Sequence, residues 1–150
     1  MISYKIATPD DVDDFINLRI EFECCMYNSD DRSQFIGAFS QATEDFFKNC
    51  NHTTALAYDG EKAVGCATLC YITVMPTANR LSGKRAHLMN VFVKPEYRRQ
   101  GIASRLVQML IENAKERGVT LISLDATENG RPLYKLLGFE DNKKNMSLDL

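Results

Sequence analysis

Between Val91 and Ala103 the chain reads Val-Phe-Val-Lys-Pro-Glu-Tyr-Arg-Arg-Gln-Gly-Ile-Ala, which places a β-type run, a tight turn and a helix start in succession. The first turn of a helix presents N–H groups with no acceptor inside the helix, together with the positive end of its dipole. A phosphate docked there takes bonds that the helix cannot make internally. Gly101 and the small Ala103 let ligand oxygens approach the backbone, and Arg98 and Arg99 add positive charge at the rim. The chemistry that these residue types suit is the holding of a pyrophosphate. The segment has neither the G-x-x-x-x-G-K-[ST] pattern of a P-loop nor the glycines of a G-x-G-x-x-G dinucleotide turn.

A second stretch runs from Asp125 to Phe139 and ends Leu133-Tyr134-Lys135-Leu136-Leu137-Gly138-Phe139. Arg98-x-x-Gly101-x-Ala103, following Val91-Phe92-Val93-x-Pro95-x-Tyr97, resembles motif A of the GNAT (Gcn5-related N-acetyltransferase) superfamily, and the second stretch resembles its motif B. The two motifs cover the chain from about Leu88 to Phe139. The resemblance implies an acetyl-CoA-dependent N-acetyltransferase in which an amine attacks the thioester directly. It implies a coenzyme A pyrophosphate at Arg98, Arg99, Gly101, Ile102, Ala103 and Ser104, and a pantetheine arm that bonds to backbone groups of Val91 and Val93 like an added strand. The N–H of Val91 then serves as a donor to the thioester carbonyl, and Tyr134 becomes both a cofactor contact and the general acid for the leaving sulfur. A phenol suits that task because it stays protonated at neutral pH and can donate to a developing anion. Many members of the superfamily carry an asparagine where this chain has Thr127, so the cofactor contact expected there rests on a hydroxyl.

An amine acceptor is mostly protonated at pH 7, so a base must take its proton before it attacks. His87 precedes Val91 on the same β-type run, where some members of the superfamily carry a glutamate that works through water, and Glu21 or Glu23 sits late in the first helix, near the segment that lines the acceptor pocket in that fold. Asn90 could point to either face. The acceptor is expected to be the primary amine of a small molecule. A protein or peptide acetyltransferase is the alternative in the same chemistry, and a non-catalytic acyl-CoA-binding module is the alternative from another class, against which Tyr134 counts.

These residues need elements to position them. Ile2 to Ala7 alternates as a short strand, and Thr8-Pro9-Asp10-Asp11 opens a helix that runs to about Met26. A second helical pattern follows Ser33. A hairpin is expected from Thr53 to Val74 around Asp59-Gly60, then a strand from Ala86 to Val93 that stops at Lys94-Pro95. Gly101 opens an amphipathic helix that ends at Gly118. A strand over Val119 to Leu124, a short helix over Glu128 to Leu137 and a final strand over Phe139 to Leu150 complete the order. The strand-helix-strand unit between Ala86 and Asp125 calls for two parallel strands. The resemblance makes this an α/β (α+β) GNAT fold: a mixed sheet of about six strands, flanked by about four helices and splayed between its two parallel central strands.

The chain of 150 residues, 45% of them hydrophobic, is expected to form a single domain over residues 1–150. With 18 Lys and Arg against 20 Asp and Glu, neither nucleic acid nor an anionic membrane is an expected partner. There is no signal-peptide pattern at the start and no apolar run near the roughly 20 residues that span a bilayer, so the cytoplasm is the expected location. The five cysteines lack C-x-x-C spacing, so no metal site and no disulfide framework is expected. The resemblance and an exposed terminal strand point to a homodimer.

Overall fold

The computed structural model describes residues 1–150. Ile2–Ile6 forms β1. The Asp11 carboxylate then accepts from the Thr8 backbone N–H at 2.7 Å and from its hydroxyl at 3.2 Å, which turns the chain into α1 (Val12–Met26). Gly37, at φ 91°, divides the next helical pattern into a single turn at Arg32–Phe35 and α2 (Ala38–Asn49). The hairpin is β2 (His52–Asp59) and β3 (Lys62–Thr73), and β4 (Lys84–Val93) follows the loop. α3 (Ile102–Glu116), β5 (Leu121–Leu124) and α4 (Arg131–Leu136) complete the order.

The sheet has the strand order β1-β2-β3-β4-β5, antiparallel throughout except for the parallel β4–β5 pair. One face packs on α3, whose Ile102, Leu106, Val107, Leu110 and Ala114 share a buried side against Ala55, Val64, Leu69, Ala86, Leu88 and Val93. The other face packs on α1, where Leu18 meets Leu56, Cys66 and Phe92, and Phe15 and Phe47 stack between α1 and α2. Gly65 sits where β3 passes closest to both β4 and α3: a Cβ there would lie 3.1 Å from the Phe92 carbonyl oxygen and 3.4 Å from Ile102 and Leu106.

Two expectations need correction. The sheet has five strands rather than about six, because Phe139 to Leu150 forms no strand. The run Glu140-Asp141-Asn142-Lys143-Lys144-Asn145 offers no alternating apolar face. Asp141 is held back on α4 by Arg131 and by Lys135 at 2.7 Å, and Asn142 turns the chain by accepting from the Lys144 N–H at 3.0 Å. The terminal strand on which a homodimer was expected is therefore absent, and the free edge beside β4 belongs to β5. The last helix also starts later than Glu128, at Arg131.

Replacing Gly65 by Val forces an isopropyl group, three carbons, into the narrowest part of the β3–α3 contact. Overpacking of this kind costs about 2 kcal/mol, which at this chain length lowers Tm by roughly 4–8 °C. A melt followed by circular dichroism checks it, and an unchanged Tm would show that α3 can move aside.

Candidate active site

The β4–β5 ladder pairs Arg85 with Leu121 through Leu88 with Leu124 and then ends, so Met89 to Val93 run on with no strand on that side. On its other side β4 carries a bulge. Cys66 pairs with Phe92 and Thr68 with Met89, so Asn90 and Val91 together oppose Ala67, and Asn90 takes φ 59°. The extra residue reverses the alternation: Ala86 and Leu88 face α3 before it, and Val91 and Val93 face α3 after it. Phe92 is thereby turned toward α1, and Asn90 points the same way, its Oδ1 accepting from Arg19 at 3.2 Å. The Asn90 carbonyl also accepts from the buried Cys66 thiol at 3.5 Å, and burial pushes that thiol up to about 12, so it stays neutral.

Beyond β4 a single turn at Pro95–Tyr97 leads to α3. Arg98 donates through Nε to the Val93 carbonyl at 2.9 Å and lies 5.9 Å from the Phe92 ring centroid, so this side chain fastens the turn to the strand. It also occupies the Val93 carbonyl. Arg99 adopts φ 65° and is exposed without an ion pair, and Gly101 caps α3 at φ 79°. Every backbone N–H from Arg99 to Ser104 lacks an acceptor within the chain; the first N–H that finds one is that of Arg105, bonded to the Gly101 carbonyl at 3.1 Å. A Cβ added at Gly101 would meet nothing within 4 Å, so the ground in front of these donors is open. The Ile102 side chain is buried in the core, while Ala103 and Ser104 are half-buried. An exposed row of unpartnered N–H groups at a helix start fits a phosphate-bearing ligand.

Tyr134 lies half-buried on α4, packed against the same core cluster as Val91 and Ala103 and edge-on to Phe139 at 5.8 Å between centroids. Its hydroxyl makes no hydrogen bond within the chain, and burial raises its pKa above the ordinary 10.0, which keeps it protonated. Gly130 allows this packing, since a Cβ there would come within 3.2 Å of the Tyr134 ring. Thr127 is used locally: its Oγ1 and its carbonyl both accept from the Gly130 N–H, at 3.1 and 3.2 Å, and so form the entry turn of α4.

His87 stands where β4 and β5 part, its Nδ1 2.8 Å from the Ser123 hydroxyl and its Nε2 3.7 Å from the exposed Asp125 carboxylate. Glu21 is not brought to it. That carboxylate lies in a separate crevice with Lys94 at 3.1 Å and Arg32 at 3.8 Å, two cations that occupy it. Glu23, on the other side of α1, pairs with Arg19 at 2.9 Å. Between α1, α2 and the bulged strand lies a cleft of about 240 Å³ with Phe15, Phe39 and Phe46 on the helix side, Cys70 and Met89 on the sheet side, and Arg19, Thr43, Thr68 and Asn90 among its polar groups. The Arg19 guanidinium sits 5.5 Å from the Phe39 ring centroid and 5.3 Å from that of Phe22. Arg19, Phe39 and Thr68 were not singled out as site residues from the sequence, and the face that Asn90 takes was left open there. Only the i, i+4 spacing of Arg19 and Glu23 offered a signal. No cluster of three or more His, Cys, Asp or Glu is placed to hold a metal ion, and no helix is long and apolar enough to cross a membrane.

The family model described as acetyltransferase (GNAT) family matches residues 17–139. A glucosamine 6-phosphate N-acetyltransferase from Trypanosoma brucei brucei is 33% identical over 89 residues, which is 59% of this chain and 58% of that protein. A thialysine N-epsilon-acetyltransferase from Bos taurus is 39% identical over 62 residues, 39% of this chain and 36% of its own length. The matches thus span about a third to three-fifths of these relatives. A crystal structure of a predicted acetyltransferase with acetyl-CoA from Clostridium acetobutylicum superposes with a TM-score of 0.84 at 23% identity, covering 99% of this chain and 96% of that one, which shows a shared fold.

The geometry at Gly101 generates a graded prediction. Gly101→Ala adds only a methyl group and costs stability through the left-handed backbone, on the order of 1 kcal/mol, with a loss of coenzyme A affinity smaller than that of the glutamate variant. Gly101→Glu places a carboxylate in front of the N–H row and weakens binding by more than about tenfold. Calorimetric titration of both variants tests this, and equal affinities would remove the turn from the binding site.

Proposed function

This chain belongs to the acetyltransferase (GNAT) family, and from that premise we propose that it moves an acetyl group from acetyl-CoA to the primary amine of a small molecule. One observation carries the reading: the unbroken row of free N–H groups from Arg99 to Ser104 beside the place where β4 and β5 part. Acetyl-CoA supplies an acetyl thioester as the donor when bound. The N–H row receives the pyrophosphate, with Arg99 free to add charge and Arg98 already used to hold the turn in position. The backbone of Val91, left without a neighbouring strand by the departure of β5, offers its N–H to the thioester carbonyl, where negative charge grows during attack. Tyr134 gives its proton to the departing sulfur. Its hydroxyl is unshared, and its raised pKa keeps the proton in place until the sulfur needs it.

The cleft under α1 and α2 suits the acceptor. Its walls are aromatic and thioether side chains, and its one guanidinium is already partnered by Glu23 and Asn90, so it favours an amine on an apolar body over a sugar phosphate or a polyamine. A volume of about 240 Å³ accommodates a small-molecule amine. A panel of amines offered with acetyl-CoA, read by thiol release, tests the class. Turnover of arylalkyl or alkyl amines is expected, and turnover of peptides alone would move the chain to the protein-acetylating alternative.

Tyr134→Phe keeps the ring and its packing on Phe139 and deletes the proton donor. An interaction made chiefly in the transition state lowers kcat and kcat/KM together. The expected result is a fall of at least about tenfold in kcat with acetyl-CoA affinity changed by less than about threefold. Because burial raises the phenol's pKa, the alkaline loss of kcat in the parent enzyme has its midpoint above the ordinary tyrosine value of 10.0. Full activity in the variant would show that the sulfur leaves without a protein acid.

A further inference from the structure

Under the cleft a line of side chains crosses three strands on one face of the sheet. His52 and Thr54 alternate on β2, Thr54 lies opposite Thr68 on β3, and Asn90 projects from the β4 bulge. The contacts are continuous: His52 Nδ1 to Thr54 Oγ1 at 3.1 Å, Thr54 Oγ1 to Thr68 Oγ1 at 2.9 Å, Thr68 Oγ1 to Asn90 Nδ2 at 3.4 Å, and Asn90 Oδ1 to Arg19 Nη1 at 3.2 Å. The direction of every bond follows from the far end. His52 Nε2 lies 2.9 Å from the Phe47 carbonyl, which can only accept, so in the neutral ring Nε2 carries the proton and Nδ1 is an acceptor. Thr54 must then donate to Nδ1, Thr68 to Thr54, Asn90 to Thr68 and Arg19 to Asn90. Both hydroxyl protons point toward the imidazole.

Resting on the acetyltransferase reading above, we propose that Thr68 and Thr54 form a proton wire that carries the acceptor amine's proton from the cleft to His52, the base acting at a distance. Thr68 lines the cleft, and with one lone pair taken by Asn90 its oxygen keeps a second for the ammonium proton. The step balances. The ammonium N–H bond breaks as an O–H bond forms on Thr68, the former Thr68 proton moves to Thr54, and the former Thr54 proton bonds to Nδ1, leaving a neutral amine and an imidazolium. Half-buried at the start of β2, His52 then returns one proton to water and the hydroxyls rotate back. His52 and both threonines are positioning residues in this scheme apart from Thr68, which touches the amine.

His52 is the one imidazole on the line, and aromatic rings enclose it. α1 presents Phe15, and α2 presents Phe46 and Phe47. Cys70 lies opposite on β3, Cys50 lies just before β2, and Glu44 and Lys48 pair with each other on α2. Arg19 and Glu23 lie at the far end of the line.

Two measurements judge the proposal, and only one of them needs turnover. Nitrogen-15 NMR of the His52 ring is expected to report the Nε2–H tautomer in the neutral state. An Nδ1–H tautomer would reverse the bonds and overturn the wire, whatever the enzyme's activity. In kinetics with an alkylamine acceptor, Thr54→Val interrupts the line away from the substrate. At pH 7 its kcat/KM falls at least about tenfold, and the loss shrinks toward pH 10, where an alkylamine with a pKa of about 10 deprotonates unaided. Thr54→Ser, which restores a hydroxyl, recovers the parent profile, and His52→Gln behaves like Thr54→Val with coenzyme A binding intact. A loss in Thr54→Val that persists undiminished at high pH, or a profile altered by His87→Gln and not by His52→Gln, overturns the relay. Failure of the parent protein to acetylate any amine would sink the proposed function, while the tautomer measurement still judges the hydrogen-bonded line.

Discussion

The bulge at Asn90 is the constraint on which the rest of the structure depends. A β-strand normally keeps its alternate side chains on fixed faces, so a single inserted residue exchanges the faces for everything beyond it. In β4 that exchange lets Ala86 and Leu88 bury against α3 while Phe92 buries against α1. Asn90 meets the cost of the insertion in three ways: it adopts the left-handed backbone that asparagine tolerates, its carbonyl accepts from Cys66, and its side chain bonds both Thr68 and Arg19. A smaller or apolar residue there would remove one hydrogen bond each from Thr68 and Arg19, which keep Thr54 and Glu23 as their other partners.

The departure of β5 after Leu124 works with the bulge. Parallel strands that stay paired present no free backbone between them, whereas strands that part leave a row of unshared groups facing a crevice. The same end of the sheet holds the start of α3, so two sources of unpartnered N–H groups lie on one side of the molecule. Arg98 holds them in register by bonding the Val93 carbonyl and covering Phe92. This arginine, which the motif presents as a charge for the ligand, commits its Nε–H to the fold and leaves its other N–H groups free.

The two faces of the sheet have different characters. Against α3 the packing is aliphatic and continuous, with fully buried Leu106, Val107 and Leu110. Against α1 and α2 it is aromatic and interrupted by polar pairs: Phe15, Phe46 and Phe47 surround His52, and Thr54, Thr68 and Asn90 lie beneath the cleft. A buried polar line of this kind is stable only when every member finds a partner, which each does here. The only buried side-chain nitrogen or oxygen left without one is Arg85 Nε, away from this line.

What the sequence determined by itself was the chemistry that depends on near neighbours. Gly101 ahead of Ile102-Ala103 marks a helix start whose N–H groups need an acceptor, and Tyr134 before Gly138-Phe139 marks a phenol on a short helix; neither requires knowledge of a distant residue. The parallel pair around α3 was legible for the same reason, since a strand, a helix and a strand in that order have few ways to pack. What only the tertiary structure decided was register and facing. The alternation of His52 and Thr54 on one strand and the presence of Thr68 on the next say nothing about which threonine meets which, because a slip of one residue turns a strand's side chains to the other face. Glu21 and Glu23 look equivalent along the chain, yet they sit on nearly opposite sides of α1, one held by Lys94 and Arg32 and the other by Arg19. The segment after Phe139 reads as a strand from its final alternation, and it fails to pair because ion pairs from Asp141 to α4 hold its polar beginning away from β5. Facing and pairing are set by long-range contacts between strands, and a linear pattern does not contain them.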